Sequence, residues 1–138
     1  MRMRIGGLQK VTLLDYPGKV ACTVFLPGCN LRCPFCHNPA LVLPDRATGG
    51  LSTEKLLAFL ETRRGKLDGV CVTGGEPLLR PDLPQLLEKL CEIKGIQWIR
   101  VMYCYPEEIT DELLEFMARE PKICHYLDLP IQHCNNEI

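Results

Sequence analysis

Three cysteines in one short segment are spaced so that their thiolates could share one metal centre. They are Cys29, Cys33 and Cys36. Thiolates are soft ligands that both iron–sulfur clusters and zinc accept. A structural zinc site normally takes four ligands, often from two Cys-x2-Cys pairs, and the sequence has no second such pair. Three thiolates on a four-iron cluster leave one iron without a protein ligand, and catalysis needs such an open position.

The spacing leaves three states of these thiols open. The main prediction is an open [4Fe-4S] cluster held by the three cysteines. The first alternative is zinc with His37 as a fourth ligand, and the second is unliganded thiols.

The other six cysteines occur singly, in or beside apolar runs, where a thiol behaves as a small hydrophobic group. They are Cys22, Cys71, Cys91, Cys104, Cys124 and Cys134. We predict that they pack in the core. For Cys104 and Cys134, near predicted strand ends, a position facing the cavity is the alternative. The total of nine is odd, which argues against a secreted disulfide scaffold. With no signal peptide and no apolar stretch of about 20 residues, a cytoplasmic location without membrane contact is predicted.

Four apolar runs predict the strands that must position the cysteines. They span residues 20–26, 69–73, 96–103 and 124–131. The runs lack clean alternation, as is typical of parallel strands buried on both faces.

Three helices are predicted between these runs. The first begins near Ser52 and has Arg63 and Arg64 in its last turn, before Gly65. The apolar residues predicted to face the core are Leu56, Leu57 and Leu60 in the first helix, Leu83, Leu86, Leu87 and Leu90 in the second, and Leu113, Leu114 and Met117 in the third.

The second and third helices carry recognisable boundary residues. Asp82 and Gln85 have the spacing of a capping box at the start of the second helix, and Gly95 ends it. Thr110 caps the third helix, which Pro121 stops.

The order of these elements predicts an α/β fold, a parallel (βα)4 half or partial TIM-type barrel. We expect one core domain over residues 1–138, truncated where a fourth helix would begin. The last strand would leave an exposed edge, which predicts a homodimer.

Gly74, Gly75 and Glu76 follow the second predicted strand. Active sites of α/β folds collect at this end of the strands, where the cysteine loop also lies. Two glycines allow the backbone to approach a ligand closely, whereas a simple turn is the alternative explanation.

The cysteine spacing, with Phe35 before the last cysteine, resembles the signature of the radical S-adenosylmethionine (SAM) superfamily. Three further segments resemble activating enzymes of glycyl-radical proteins, especially those of anaerobic ribonucleotide reductases. They are Asp15-Tyr16-Pro17-Gly18-Lys19, His37-Asn38-Pro39 and Thr73-Gly74-Gly75-Glu76-Pro77. This resemblance covers about residues 4–90.

The resemblance implies that SAM binds the fourth iron of the cluster. One electron then cleaves the sulfonium to methionine and a 5′-deoxyadenosyl radical, which abstracts a hydrogen atom. It implies that Gly74, Gly75 and Glu76 bind the methionine amino group and that Phe35 contacts the adenine. For Phe35, packing on the sheet as a loop anchor is the alternative. His37 contacts SAM or caps the loop. Implied partners are a glycyl-radical enzyme and a reductant such as flavodoxin or ferredoxin.

The last third of the chain resembles a different branch, the radical SAM methylthiotransferases that act on tRNA or a ribosomal protein. Residues 95–106 and 126–133 carry this resemblance, which covers about residues 85–138. Asp128, Gln132 and His133 lie near the end of the last predicted strand, where they could line a substrate or SAM pocket, and a capping role is the alternative. We therefore expect a junction between the two families near residues 77–95.

The main functional prediction is a radical SAM activase. The alternatives are a methylthiotransferase-like enzyme and a cluster-binding half-barrel without turnover. The net charge of −1 gives no basis for nucleic-acid binding.

Overall fold

The computed structural model describes residues 3–43, 50–131 and 134–137. Its strands are β1 (Arg4–Ile5), β2 (Gly7–Thr12), β3 (Ala21–Leu26), β4 (Leu51–Ser52), β5 (Gly69–Gly74), β6 (Trp98–Val101) and β7 (Ile123–Leu127). Its helices are α1 (Pro39–Val42), α2 (Thr53–Glu61), α3 (Leu83–Glu92) and α4 (Asp111–Arg119).

Five strands form the main sheet in the order β2-β3-β5-β6-β7. β3, β5, β6 and β7 are parallel neighbours, and α2, α3 and α4 connect them in turn. This arrangement confirms the α/β partial barrel.

The antiparallel strand β2 was not predicted. It pairs with β3, from Gly7 opposite Phe25 to Thr12 opposite Ala21. Gln9 and Lys10 are exposed, so this edge strand has little of the apolar character by which buried strands are recognised. A second small pairing, β1 with β4, also lay outside the prediction.

The last two parallel strands are shorter than predicted. β6 spans Trp98–Val101 rather than residues 96–103, and β7 spans Ile123–Leu127 rather than 124–131. Soon after β6, Tyr103 adopts a φ of +59°, which is incompatible with an extended strand. Beyond β7, Pro130 has no N–H to donate to a neighbouring strand.

The helix ends differ from the predictions in two places. Asp82 stands at the N-terminus of α3 but makes no capping bond there, so the predicted capping box is wrong. Its carboxylate instead accepts two hydrogen bonds from Arg80, at 3.0 and 3.1 Å. α2 ends at Glu61, which places Arg63 and Arg64 beyond the helix rather than in its last turn.

The predicted start of the first helix near Ser52 and the predicted Thr110 cap are confirmed. The Ser52 hydroxyl accepts a hydrogen bond from the Lys55 N–H, and the Thr110 hydroxyl accepts one from the Leu113 N–H. On α4, Leu114 was predicted to face the core but is 44% exposed, and Phe116 is buried instead.

The core lies between the helices and one face of the sheet. Alternate strand residues such as Val24, Val72 and Val101 are buried there against leucines of α2 and α3. Because side chains alternate along a strand, residues next to these valines in the sequence, such as Thr23 and Cys71, lie on the opposite face of the sheet.

A loop after β2 packs on that opposite face. The Asp15 carboxylate accepts a hydrogen bond from the Thr23 hydroxyl, and the Asp15 carbonyl accepts one from Arg100 Nη1 at 2.9 Å. The hydroxyl of Tyr16 lies 3.0 Å from the thiol of Cys124. The loop therefore ties β3, β6 and β7 together across the inside of the partial barrel.

β7 is the outermost parallel strand of the sheet. Its position agrees with the exposed edge on which the homodimer prediction rests, and dimerisation itself stays a prediction that light scattering can test. None of the helices in the described part of the chain has the length and apolar character needed to span a bilayer.

Candidate functional site

The cysteine loop begins where β3 ends and is anchored by the short helix α1. The Gly28 N–H donates to the Leu41 carbonyl at 2.7 Å, and the Cys29 N–H donates to the Val42 carbonyl at 3.1 Å. Further along, the Cys36 N–H donates to the Cys33 carbonyl at 3.1 Å, which closes a turn. The sequence thus places the three cysteines at the carboxyl end of β3, as predicted.

The thiols of this loop are accessible. Cys29 and Cys36 are half-buried, Cys33 is exposed, and all three are free. A shallow cavity of about 250 Å³ lies beside them, lined by Arg32, Cys33, Cys36, Pro39, Val42 and Leu43. Within residues 3–43, 50–131 and 134–137, no three His, Cys, Asp or Glu side chains are grouped closely enough to hold one metal ion.

The donor set nevertheless fits an iron–sulfur cluster by its chemistry. It offers three free, soft thiols on one loop, and each is at least partly open to solvent. The Leu31 N–H also lies 3.4 Å from Cys29 Sγ. The assignment of the three cysteines as ligands stays a prediction.

Gly74 and Gly75 press the end of β5 onto the start of the cysteine loop. A Cβ on Gly74 would lie 2.0 Å from the Leu26 carbonyl oxygen, and one on Gly75 would lie 2.2 Å from the Gly28 carbonyl oxygen. Gly74 also has a φ of +146°, which L side chains rarely adopt. The close approach that requires glycine here is therefore made by the protein's own backbone.

Glu76 is buried, with only 4% of its surface exposed. Its Oε1 accepts a hydrogen bond from the Leu78 N–H and its Oε2 accepts one from the Tyr105 N–H, each at 3.0 Å. Burial raises the pKa of the carboxyl, and these two hydrogen bonds partly oppose that rise. The predicted contact of Glu76 with the SAM amino group stays a prediction.

The two remaining predicted contacts lie on the surface of the cysteine loop. Phe35 is 69% exposed and His37 is also exposed. Packing therefore does not fix either side chain, and their roles at the adenine and at SAM stay predictions.

Of the three C-terminal candidates, the structure describes only Asp128. The Asp128 carbonyl accepts a hydrogen bond from the Cys104 N–H at 2.8 Å, so Asp128 stands at the end of β7 near the site. Gln132 and His133 lie outside the described residues.

The packing prediction for the other cysteines is confirmed for most of them. Cys22, Cys71 and Cys104 are fully buried, and Cys91 packs partly buried against the core. Burial raises the pKa of each of these four thiols to about 12. Cys124 is half-buried, whereas Cys134 is exposed, so packing is wrong for Cys134.

Sequence reasoning missed the bond between the cysteine loop and the loop after β6. Asn30 Nδ2 donates to Glu108 Oε1 at 3.0 Å, which joins the cysteine loop to this second loop. The signal was the polar run Tyr103-Cys104-Tyr105-Pro106-Glu107-Glu108, which follows a strand at the edge where the other site residues lie.

The sequence comparisons agree with this site. A family model described as the radical SAM superfamily matches residues 23–138. The chain belongs to the radical SAM superfamily. Radical SAM proteins use a [4Fe-4S] cluster and SAM, so membership confirms both predicted cofactors.

Similar curated radical SAM proteins are named ribosomal protein uS12 methylthiotransferase RimO. That of Lachnoclostridium phytofermentans is 64% identical over 116 residues, covering 80% of this chain and 26% of the relative. That of Desulforudis audaxviator is 39% identical over 146 residues, covering 96% of this chain and 31% of the relative. The chain thus spans about a quarter to a third of the length of these relatives.

A solved structure has a similar fold. The crystal structure of QueE from Escherichia coli matches with a TM-score of 0.51 and 25% identity, over 74% of this chain and 52% of QueE. The likeness supports the partial-barrel arrangement of the radical SAM core.

Proposed function

We propose that this chain is a radical SAM core of the methylthiotransferase type. The observation that supports a site for the cluster and SAM is the packing of Gly75 onto Gly28, which brings the β5 loop and the cysteine loop together. The reaction type is supported by similarity to uS12 methylthiotransferases over 80–96% of the chain. These relatives favour the alternative prediction over the activase.

Cys29, Cys33 and Cys36 would hold the cluster, which when bound supplies the electron that splits the sulfonium of SAM. The backbone of Gly74 and Gly75 would bind the amino-acid part of SAM. The buried Glu76 carboxylate lies next to that backbone and would attract the SAM ammonium group.

The transfer of a methylthio group to a ribosomal protein is the whole-protein activity that the relatives' name suggests. We propose a protein of that class as the substrate. We also keep the single core domain and the junction near residues 77–95 as proposals.

Activase chemistry on a glycyl-radical enzyme remains a second candidate because of one observation. The Asp15–Tyr16 segment that carries part of that resemblance is built into the fold, through Thr23, Arg100 and Cys124.

The deciding experiment is SAM cleavage by the chain itself. The protein would be reconstituted anaerobically with iron and sulfide, reduced with dithionite and incubated with SAM. We expect 5′-deoxyadenosine and methionine in equal amounts. A protein that carries the cluster but forms neither product would contradict the proposal and favour a half-barrel without turnover.

The substrate class needs a second measurement on the same preparation. Ribosomal protein uS12 and a glycyl-radical enzyme would be offered separately. Methylthiolated uS12 in the mass spectrum supports the proposal, whereas a glycyl-radical signal by electron paramagnetic resonance supports the activase. The triple variant with Cys29, Cys33 and Cys36 changed to Ala is the matched control for both.

A further inference from the structure

Residues 103–108 form a loop that is tied to three neighbouring parts of the site. The Cys104 N–H donates to the Asp128 carbonyl at 2.8 Å, at the end of β7. The Tyr105 N–H donates to Glu76 Oε2 at 3.0 Å, in the β5 loop. Asn30 in the cysteine loop donates to Glu108 Oε1, also at 3.0 Å. We call residues 103–108 the tied loop.

The tied loop begins with a residue in an unusual conformation. Tyr103 has a φ of +59°, the only positive φ among the described residues other than glycine. An aromatic residue rarely adopts this conformation, and such residues cluster at functional sites where the surroundings enforce them. The side chain of Tyr103 is 54% exposed.

The register of the sheet places Tyr103 at the site. Val72 on β5 pairs with Val101 on β6, and the Met102 N–H donates to the Val72 carbonyl at 2.9 Å, so Tyr103 follows directly after the last contact of β6 with β5. β5 ends two residues after Val72 at Gly74, which pairs with Leu26 just before the cysteine loop. Tyr103 therefore leaves the sheet at the same end as the cysteine loop and Gly74–Glu76.

One of the three hydrogen bonds that hold the tied loop ends on Glu76, whose side chain is buried. One carboxylate oxygen is used within its own loop, on the Leu78 N–H, and the other reaches across to the Tyr105 N–H. A carboxylate has about four lone-pair sites, so Glu76 can keep both bonds and still accept from a ligand. Losing the carboxylate would leave the Tyr105 N–H without this acceptor.

We propose that Glu76 is a positioning residue that acts on ligand binding through Tyr105, because it holds the tied loop and the Tyr103 ring at the ligand edge. The inference rests on the proposed function for the identity of the ligand, SAM. In this arrangement the Tyr103 ring contacts the nucleoside part of SAM, and Glu76 supports that contact whether or not a ligand carries an ammonium group.

The first test needs no ligand. Hydrogen exchange of the Tyr105 amide would be compared in wild type, Glu76→Gln and Glu76→Ala, with the Leu113 amide in α4 as internal reference. We expect exchange at Tyr105 at least about tenfold faster in Glu76→Ala, and partial protection in Glu76→Gln, which keeps one carbonyl acceptor. Unchanged exchange at Tyr105 in Glu76→Ala would overturn the proposal.

The second test compares two ligands on the cluster-loaded protein. SAM carries an ammonium group and 5′-deoxyadenosine does not. We expect Glu76→Ala to weaken 5′-deoxyadenosine binding about tenfold and SAM binding by at least as much, and Tyr103→Asn to weaken the binding of both about tenfold. Asn tolerates a positive φ, so Tyr103→Asn removes the ring while keeping the backbone conformation, and it serves if Glu76→Ala fails to fold.

The outcomes separate the inference from the function on which it rests. If Glu76→Ala weakens SAM alone, Glu76 acts by direct contact with the ammonium group and the inference is wrong while the proposed function stands. Unchanged binding of both ligands by Tyr103→Asn also overturns the inference. If cluster-loaded wild type binds no SAM, the proposed function fails and the inference falls with it.

Discussion

The cysteines in or beside the strands and the cysteines of the loop after β3 have the same side chain but lie in different surroundings. Cys22, Cys71 and Cys104 are fully buried in or beside the strands, and burial raises the pKa of each thiol to about 12. The cysteines of the loop after β3 are half-buried or exposed, and they sit where the backbone leaves the sheet.

The difference indicates that the surroundings of a cysteine, more than its residue type, decide whether it could bind a metal. A cysteine binds metal as the thiolate, and a dry, apolar site disfavours that charged form. The sheet cysteines behave as small apolar groups, whereas the loop cysteines are at least partly open to solvent.

The largest expected effect is on metal content. Changing Cys29, Cys33 and Cys36 together to Ala should reduce iron from about four atoms per reconstituted chain to nearly none, because the thiolate ligands are removed. Iron and sulfide analysis with the visible absorbance spectrum measures this directly.

The matched controls are cysteines of the other set. Cys71→Ala removes a buried thiol and Cys134→Ser an exposed one, and both should retain the full iron content. His37→Ala should also retain it. Zinc in place of iron, lost on changing His37, would instead establish the zinc alternative.

The second expected effect is on thiol reactivity in the cluster-free protein. Burial raises the pKa of the Cys22 and Cys71 thiols to about 12, so at pH 8 each is ionised in only about one molecule in ten thousand. Because iodoacetamide reacts with the thiolate and must reach it, alkylation should be at least about a hundredfold slower at these buried cysteines than at the exposed Cys33. Peptide mass spectrometry over a time course gives each rate, and equal rates would contradict the contrast.

The third expected effect is on stability and iron retention when Gly75, which packs the end of β5 against the cysteine loop, is changed. Gly75→Ala should destabilise the fold by about 1–3 kcal/mol and lower iron retention, because the new Cβ would meet the Gly28 carbonyl oxygen at 2.2 Å. Urea unfolding and iron analysis together measure both effects.

Gly65→Ala is the control for this substitution. Gly65 has a φ of +71°, but a Cβ there would meet nothing within 4 Å. It should cost about 1 kcal/mol through backbone strain alone and leave the iron content unchanged. Similar loss of iron in both variants would show that general instability is responsible.

Much of this contrast could be predicted from the sequence, because it depends on local patterns. The three closely spaced cysteines follow an apolar run, and isolated cysteines within such runs mark buried positions. The Thr110 cap of α4 was predictable for the same reason, since its hydroxyl acts only three residues along the chain.

What could not be predicted depends on a choice between competing partners or on contacts between distant residues. The Asp82 carboxylate could have capped the N-terminus of α3, but it accepts two hydrogen bonds from Arg80 instead. The bond from Tyr105 to Glu76 joins a backbone N–H to a carboxylate 29 residues away, and any residue but proline could supply that donor. Residue type alone therefore carries no signal for it.

The smallest expected effect is on the pH dependence of stability, through the buried carboxyl of Glu76 in the loop after β5. Burial raises its pKa in the folded protein above the ordinary value of 4.5, with a further contribution from the negative charge of Glu108. The ionised form is thus less favoured in the folded chain than in the unfolded chain. The contribution of this carboxyl to stability is complete below about pH 4.5 and declines as the pH rises through the folded-state pKa.

Glu76→Gln removes this titration while keeping the shape of the side chain. The free energy of unfolding of wild type relative to Glu76→Gln should therefore fall as the pH rises from about 4 to about 7. Urea titrations of both proteins at several pH values measure the difference. A difference that instead grows with pH would mean that the Leu78 and Tyr105 N–H groups stabilise the carboxylate by more than burial destabilises it. Glu76 would then hold the loop after β6 most firmly when it is charged.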